Sequence, residues 1–326
     1  AYLAQEACRF LRSRRGRPFV LFVNFLEPHM PFFGPRDGQY DPSRVTLPPN
    51  FDNPPTEDQP FKLRLFHRRY FEGGHSGLPL KTEDDWRRMI ANYWGLCSLV
   101  DTHVGRILAT LEDEGLAEDT IVVYTSDHGD MLWSHGLQKK EQPFEEAIRI
   151  PLLIRWPGRI PAGLRSEALV STADFAPTLL RLMGLDVPER MEGGDLSDIV
   201  LGDGGDGPAS VFLTEPIILD QGFHQGIGEW RGVRTARHTY ARWTDGTPWV
   251  LYDNETDPYQ MHNLAASPEH AALREQLDAE LQAWLDRTGD RCESWQDVVR
   301  SLGLVAQWHE RERFMHPKAP RLLKEG

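Results

Sequence analysis

The stretch that most constrains this chain runs from Thr120 to Pro157, TIVVYTSDHGDMLWSHGLQKKEQPFEEAIRIPLLIRWP. A short apolar run, Ile121-Val122-Val123-Tyr124, gives way at once to Asp127-His128-Gly129-Asp130, and a second apolar run, Ile150 to Trp156, closes it. A β-branched run that ends in a polar, glycine-containing turn reads as a buried parallel strand presenting side chains at its C-terminal edge. Open α/β sheets place ligand sites at that edge. The constellation to explain is a carboxylate, an imidazole and, twelve residues after His128, the lysine Lys140.

Composition removes several classes of function. The formal charge of −13 argues against a nucleic-acid surface, which needs clustered Lys and Arg. Cys8, Cys97 and Cys292 are far apart and match neither a zinc spacing nor a disulfide framework, and Cys97 reads as core. No apolar run approaches the roughly 18 residues of a membrane span, and no signal peptide is visible. The chain opens at Ala1, already inside a helical pattern, so the first part of a larger domain is expected upstream.

In chain order, residues 2 to about 13 predict an amphipathic helix, and Pro18 to Phe25 a buried strand. A helix followed by such a strand suggests an α/β layer architecture. The strand leads into Pro28-His29-Met30-Pro31, where two prolines stiffen the backbone around His29. Residues 33 to 82 read as a long excursion, in which Phe66-His67-Arg68-Arg69-Tyr70 is a surface loop or a pocket wall for an anionic substrate. Thr82 with Asp85 resembles a capping box for a long helix, Glu83 to Glu114. Asp101 and His103 on that helix are expected to face solvent or cap a neighbour.

A further helix is expected from Phe175 to Met183, then a Gly- and Asp-rich connector from Pro188 to Gly207. Three short strands, at Val211–Leu213, Gly232–Thr235 and Trp249–Tyr252, imply a small antiparallel sheet. A helix from Pro268 to Asp286 follows, then a helix near Trp295–Leu302 and a flexible basic end. The expected fold class is α/β, a mixed and largely parallel sheet flanked by helices, with a small C-terminal antiparallel sheet plus helix. The expected division is 1–207, 208–288 and a C-terminal extension, 289–326.

On residue types alone, Asp127 and His128 suit a divalent cation but are too few for any metal, so further ligands must come from elsewhere. Lys140 and His29 suit an oxyanion, and a cation, a lysine and a histidine together suit a sulfate or phosphate ester. The competing reading makes Asp127 a cap and both histidines ordinary turn residues.

Taken together, Ser126-Asp127-His128-Gly129-Asp130, His135-Gly136-Leu137, Lys140, Phe144-Glu145-Glu146, Arg149-Ile150-Pro151 and Arg155-Trp156-Pro157-Gly158 resemble the type I sulfatases of the alkaline phosphatase superfamily. The likeness extends to Pro28-His29-Met30-Pro31, to Val100-Asp101 with Val104-Gly105, and to Asp174 with Pro177-Thr178-Leu179-Leu180. It continues through Leu251-Tyr252-Asp253, Asp257-Pro258 and Asn263-Leu264, covering residues 1 to about 288. The resemblance implies an alkaline phosphatase-like fold and a metal-dependent sulfuric ester hydrolase. It implies that Asp127 and His128 are two ligands of Ca2+, with Mg2+ as the alternative ion. It implies that Lys140 and His29 contact the sulfate group, catalytically and as substrate binders, while Glu145, Glu146 and Arg149 are structural. The substrate implied is a sulfate ester, with a sulfated carbohydrate as the guess. A periplasmic or extracellular location is the matching expectation, with no nucleic-acid partner and no membrane span in this chain.

The departures concern the nucleophile. None of the three cysteines stands in the Cys/Ser-x-Pro-x-Arg context that such enzymes convert to formylglycine. The adjacent Asp pair near an N-terminal strand, and the Lys and His after the nucleophile, are likewise not in the sequence. All of these precede the Pro-His-x-Pro segment in the family, so they are expected upstream of Ala1. On that expectation the 326-residue chain alone is catalytically inert and the complete protein is the hydrolase. Two alternatives stay open: a phosphate or phosphonate ester hydrolase of the same superfamily, and a non-catalytic binding or assembly protein that keeps the fold. The first places to look for substrate contacts are His67–Tyr70 and the surroundings of Phe223-His224.

Overall fold

Helical periodicity becomes helix where an apolar stripe finds a neighbour. The computed structural model describes residues 1–14, 16–51, 53–57, 59, 61–75, 77–216 and 228–315. Helix α1, Tyr2–Arg12, buries Ala4, Ala7, Cys8 and Leu11 on one side. Helix α2 spans Phe61–Gly73, and the long helix α3 spans Glu83–Asp113. The capping box at the start of α3 is complete: Thr82 Oγ1 accepts from Asp85 N, and the Asp85 carboxylate accepts from Thr82 N. Leu11 of α1 packs with Leu111 and Ala117 near the end of α3.

Two expectations for the first half are corrected here. Strand β1, Val122–Thr125, is not a buried parallel strand. It pairs antiparallel with β2, Leu152–Arg155, in the register Val122↔Arg155 to Thr125↔Leu152. Its outer face is open, with Tyr124 44% and Leu153 60% exposed. Pro18–Phe25 runs extended but joins no ladder. Its odd side chains Phe19 and Leu21 pack with Val122 on the α1–α3 cluster, while Val20 and Phe22 are 68% and 82% exposed. The two-residue alternation is therefore present, but no strand among the described residues completes a parallel sheet there. The mixed α/β character stands, and both ladders among the described residues are antiparallel.

The excursion between residues 33 and 82 is more ordered than its composition suggests. Residues 66–70 belong to α2, so they are helix rather than surface loop. Tyr70, Phe32, Leu78 and Leu80 join Trp86, Met89, Ile90 and Leu96 of α3 in one core. Trp86 stacks on Trp133 with ring centroids 3.7 Å apart, tying this layer to the segment that follows β1. His103 is also corrected. It faces inward at 8% exposure against Phe25, because its position on α3 turns it toward the extended segment, whereas Asp101 faces solvent.

After β1 come α4, Glu145–Ile148, then β2, α5, Phe175–Leu182, and α6, Ser197–Leu201. The C-terminal sheet has four strands in simple order: β3, Ser210–Glu215; β4, Trp230–Thr235; β5, His238–Trp243; and β6, Pro248–Asp253. Strand β5 was not among the three expected strands. Helix α7, Ala271–Thr288, covers one face with Leu277, Leu281 and Leu285. The opposite face packs on the β1–α4 segment: Trp230, Ala241, Trp249, Val250 and Tyr252 meet Met131, Leu137, Phe144 and Ala147.

Residues beyond α7 fold back as α8, Trp295–Ser301, and α9, Val305–Met315. The expected basic end, 316–326, lies outside the described residues, as does Phe223-His224. Arg231 of β4 is 2% exposed, and its guanidinium is held bidentately by Asp290 at 2.5 and 3.2 Å. Glu229 reaches from the start of β4 to accept from Trp295 N at 2.6 Å. No helix among the described residues is long and apolar enough to cross a membrane.

Truncating one partner of a buried ion pair leaves an uncompensated charge, at a cost of about 3–5 kcal/mol. Asp290→Ala is expected to lower the urea midpoint by that order. Arg231→Met, which removes the buried charge itself, is expected to lower it far less.

Candidate functional site

The turn after β1 is built by close backbone approach. Gly129 N donates to Ala147 O at 2.8 Å, and a Cβ at position 129 would lie 1.9 Å from Glu146 O. No side chain fits between this turn and α4. The turn therefore fixes Asp127 and His128 just ahead of it and Asp130 just after it.

His128 Nδ1 lies 2.6 Å from the carbonyl of Gly129. A carbonyl only accepts, so Nδ1 carries the proton and Nε2 keeps its lone pair, as a metal-ligating imidazole requires. That Nε2 lies 3.5 Å from Asp127 Oδ2, on a carboxylate that is 86% exposed. The donor set fits two adjacent ligands of a divalent cation. A hard cation needs at least six oxygens or their equivalent, and among the described residues no group of three His, Cys, Asp or Glu gathers. The pair suits a shared shell rather than a closed one.

Lys140 sits at the end of a tightly wound segment. Leu132, Trp133, His135, Lys139 and Glu141 all have left-handed backbone, at φ 41, 77, 54, 69 and 82. Such conformations are costly for residues with a Cβ, and they cluster at functional sites. The winding is held by Met131 N to Lys139 O at 2.8 Å, Trp133 N to Leu137 O at 2.7 Å and His135 N to Asn50 O at 2.8 Å. His135 is buried at 5% exposure, with Asn50 at 3.2 Å from Nε2 and Asn53 at 3.3 Å from Nδ1. Burial holds its pKa below the ordinary value, opposed by Glu146. Asn50 Nδ2 also donates to Glu146 Oε1 at 2.7 Å. Glu145 pairs with Arg234 of β4 at 2.7 Å, and its backbone N donates to Gln260 at 2.8 Å. Arg149 is exposed.

His29 is exposed, and its Nδ1 lies 2.7 Å from Met30 O, so Nδ1 donates there. Its Nε2 is the nitrogen left to meet a ligand, and it must carry a proton to donate to a sulfate oxygen.

Electrostatics links the motif residues into one region. Lys140 and His128 both act on Asp130, whose pKa is raised by burial and lowered by these two and by backbone hydrogen bonds. Lys139 and His29 both act on His75. His75 is 2% exposed, stacked on Phe32 at 5.0 Å and tilted against Tyr70 at 5.6 Å, and neither ring nitrogen has a partner. Burial first, then Lys139 and His29, push its pKa down to about 4. The Lys139 ammonium lies 5.9 Å from the centroid of the Tyr70 ring, and burial holds its pKa below the ordinary lysine value. Lys140 and His128 thus lie within electrostatic reach of Asp130, and Lys139 and His29 within reach of His75. The sequence reading did not single out His75 or Asp130. Tyr70 entered it as part of the 66–70 segment, a surface loop or a pocket wall for an anionic substrate. The doubled Lys139-Lys140 was the available signal.

Residues 1–185 match the family model described as Sulfatase, and residues 134–287 match N-sulphoglucosamine sulphohydrolase, C-terminal. An ulvan-active sulfatase of Formosa agariphila is 31% identical over 313 residues, covering 93% of this chain and 55% of that protein. An N-acetylglucosamine-6-O-sulfatase of Bacteroides thetaiotaomicron is 31% identical over 196 residues, covering 59% of this chain and 35% of that protein. Among solved structures, a phosphonate monoester hydrolase from Silicibacter pomeroyi superposes with a TM-score of 0.78 at 28% identity, covering 88% of this chain and 60% of that one. The chain spans about half the length of the ulvan-active relative.

Two changes test this geometry. Gly129→Ala drives a methyl group into Glu146 O and is expected to destabilise the protein by about 1–3 kcal/mol in urea titration. His75 binds its proton below about pH 6.5 when unfolded but resists it down to about 4 when folded. The unfolded state therefore holds more protons in that window, and stability is lost as pH falls through it, by on the order of 2–3 kcal/mol. His75→Phe keeps the stack with Phe32 and Tyr70 and should flatten urea midpoints between pH 6.5 and 4.

Proposed function

Because this chain belongs to the sulfatase family, we propose that the whole protein hydrolyses a sulfate monoester. The observation that carries this reading is the family motif together with two consecutive half-buried lysines, Lys139 and Lys140, that follow its turn. Neither Lys139 nor Lys140 makes an ion pair with a carboxylate among the described residues. Two half-buried lysines on consecutive residues, without a carboxylate partner among the described residues, suit an anion.

In this reading Lys140 and His29 contact the sulfate group. The Lys140 ammonium stabilises charge that grows on the sulfate and leaving oxygens, an effect largest where donors are preorganised. The wound segment and its buried His135–Asn50–Glu146 support provide that preorganisation. His29 orients the sulfate through Nε2, its ring set by the bond from Nδ1 to Met30 O. Asp127 and His128 are proposed as two ligands of Ca2+, or of Mg2+. A bound cation would supply further charge neutralisation at the sulfate oxygens. The nucleophile proposed is the family's formylglycine, whose motif this sequence does not contain. The name of the Bacteroides relative supports a sulfated carbohydrate as substrate.

The superposition on a phosphonate monoester hydrolase favours one rival, a phosphonate ester as substrate. The test measures sulfate released from N-acetylglucosamine 6-O-sulfate against hydrolysis of a phenylphosphonate ester by the whole protein. Cleavage of the phosphonate with the sulfate ester left intact would overturn the sulfatase reading. Lys140→Ala is expected to lower kcat by about 10²–10³. Unchanged kinetics would remove Lys140 from the site.

A further inference from the structure

Lys139 is a cation of this region that the proposed mechanism leaves without a task. It is half-buried, and its ammonium rests over the Tyr70 ring rather than against a carboxylate. Glu141 and Asp130 lie within electrostatic reach but form no ion pair with it, and Arg69 adds positive charge nearby. The platform beneath it is rigid. Tyr70 is 7% exposed and backed by His75, which is backed in turn by Phe32. His75 is also a buried imidazole with both nitrogens unpartnered. Buried polar groups without partners are rare in native proteins and call for an explanation beyond packing.

Lys139 and Lys140 are consecutive and both half-buried, and burial disfavours the charged form of Lys139. A ligand with one negative charge compensates one of them. A ligand with two compensates both. The left-handed backbone at Lys139, held by the Met131 N to Lys139 O bond, keeps this costly arrangement in place.

We propose that Lys139 is a second anion-binding residue beside Lys140, so that the site takes a sulfate monoester whose carrier holds another negative group, a carboxylate or a second sulfate. This inference rests on the sulfate-ester reading and adds the class of carrier.

The test is calorimetric binding to the full chain in calcium-containing buffer, with three probes. They are N-acetylglucosamine 6-O-sulfate, glucosamine 2-N,6-O-disulfate and a monosulfated uronic acid. The expected result is a preference of about tenfold for at least one of the two dianionic probes, the gain from one charge-assisted contact. The preferred probe identifies the second group as sulfate or carboxylate. Lys139→Met, which keeps an apolar stem on Tyr70, should bring the preference near unity, and Lys139→Arg should retain it. Lys140→Met should weaken all three probes while the preference persists. No preference in the wild-type protein, or one that survives Lys139→Met, overturns the proposal and leaves the sulfatase reading intact. Failure of the wild-type protein to bind any of the three overturns both.

Discussion

The segment from Met131 to Gln142 carries a dense run of left-handed backbone, and the surroundings are organised to hold it. Five residues with side chains adopt left-handed backbone within ten positions. A free peptide would not hold that shape. Three supports hold it here. The Trp133–Trp86 stack fixes one side to α3. The His135–Asn50–Glu146 hydrogen bonds fill the interior. Leu137 and Phe144 enter the core shared with the C-terminal sheet. Strain stored this way delivers Lys139 and Lys140 half-buried, where electrostatic interactions are stronger than in open water.

The C-terminal sheet is accordingly more than an appended lid. Arg234 and Gln260 hold Glu145 by its carboxylate and its backbone, at the first residue of α4. The carbonyl of Tyr259 accepts from Asn50, which also donates to Glu146. The lysine segment is thus gripped from both directions along the chain, by Asn50, 85 positions before His135, and by Arg234 and Gln260, 89 and 115 positions after Glu145. Local sequence around Lys140 supplies the charges, and distant sequence supplies their position.

What the sequence made legible follows from the same division. The α3 helix and its cap are local features, and Thr82, Asp85 and the apolar stripe announce them. The Asp127-His128 turn and Lys140 are carried by a contiguous motif. Strand β5 was missed because His238-Thr239-Tyr240-Ala241-Arg242-Trp243 mixes polar and aromatic residues, and its burial comes from β4, β6 and α7 rather than from its own pattern. Residues 66–70 looked like a loop because Arg68 and Arg69 are polar, yet Tyr70 anchors the helix in the core. His103 and His75 illustrate the harder case. Each is buried against an aromatic ring contributed by a distant segment, Phe25 and Phe32. No spacing in the chain signals such contacts.

The pairing of Arg231 with Asp290 gives the residues beyond α7 a role in quality control of the fold. Asp290 lies only two residues past the end of that helix, at a point where a protease would find an otherwise ordinary junction. Cleavage ahead of it would remove α8 and α9 and would also strip the neutralising carboxylate from a cation sealed inside β4. The sheet that steadies the lysine segment would then carry an unpaired charge in its interior. A molecule clipped there would be destabilised in the sheet whose strands and following turn hold Glu145.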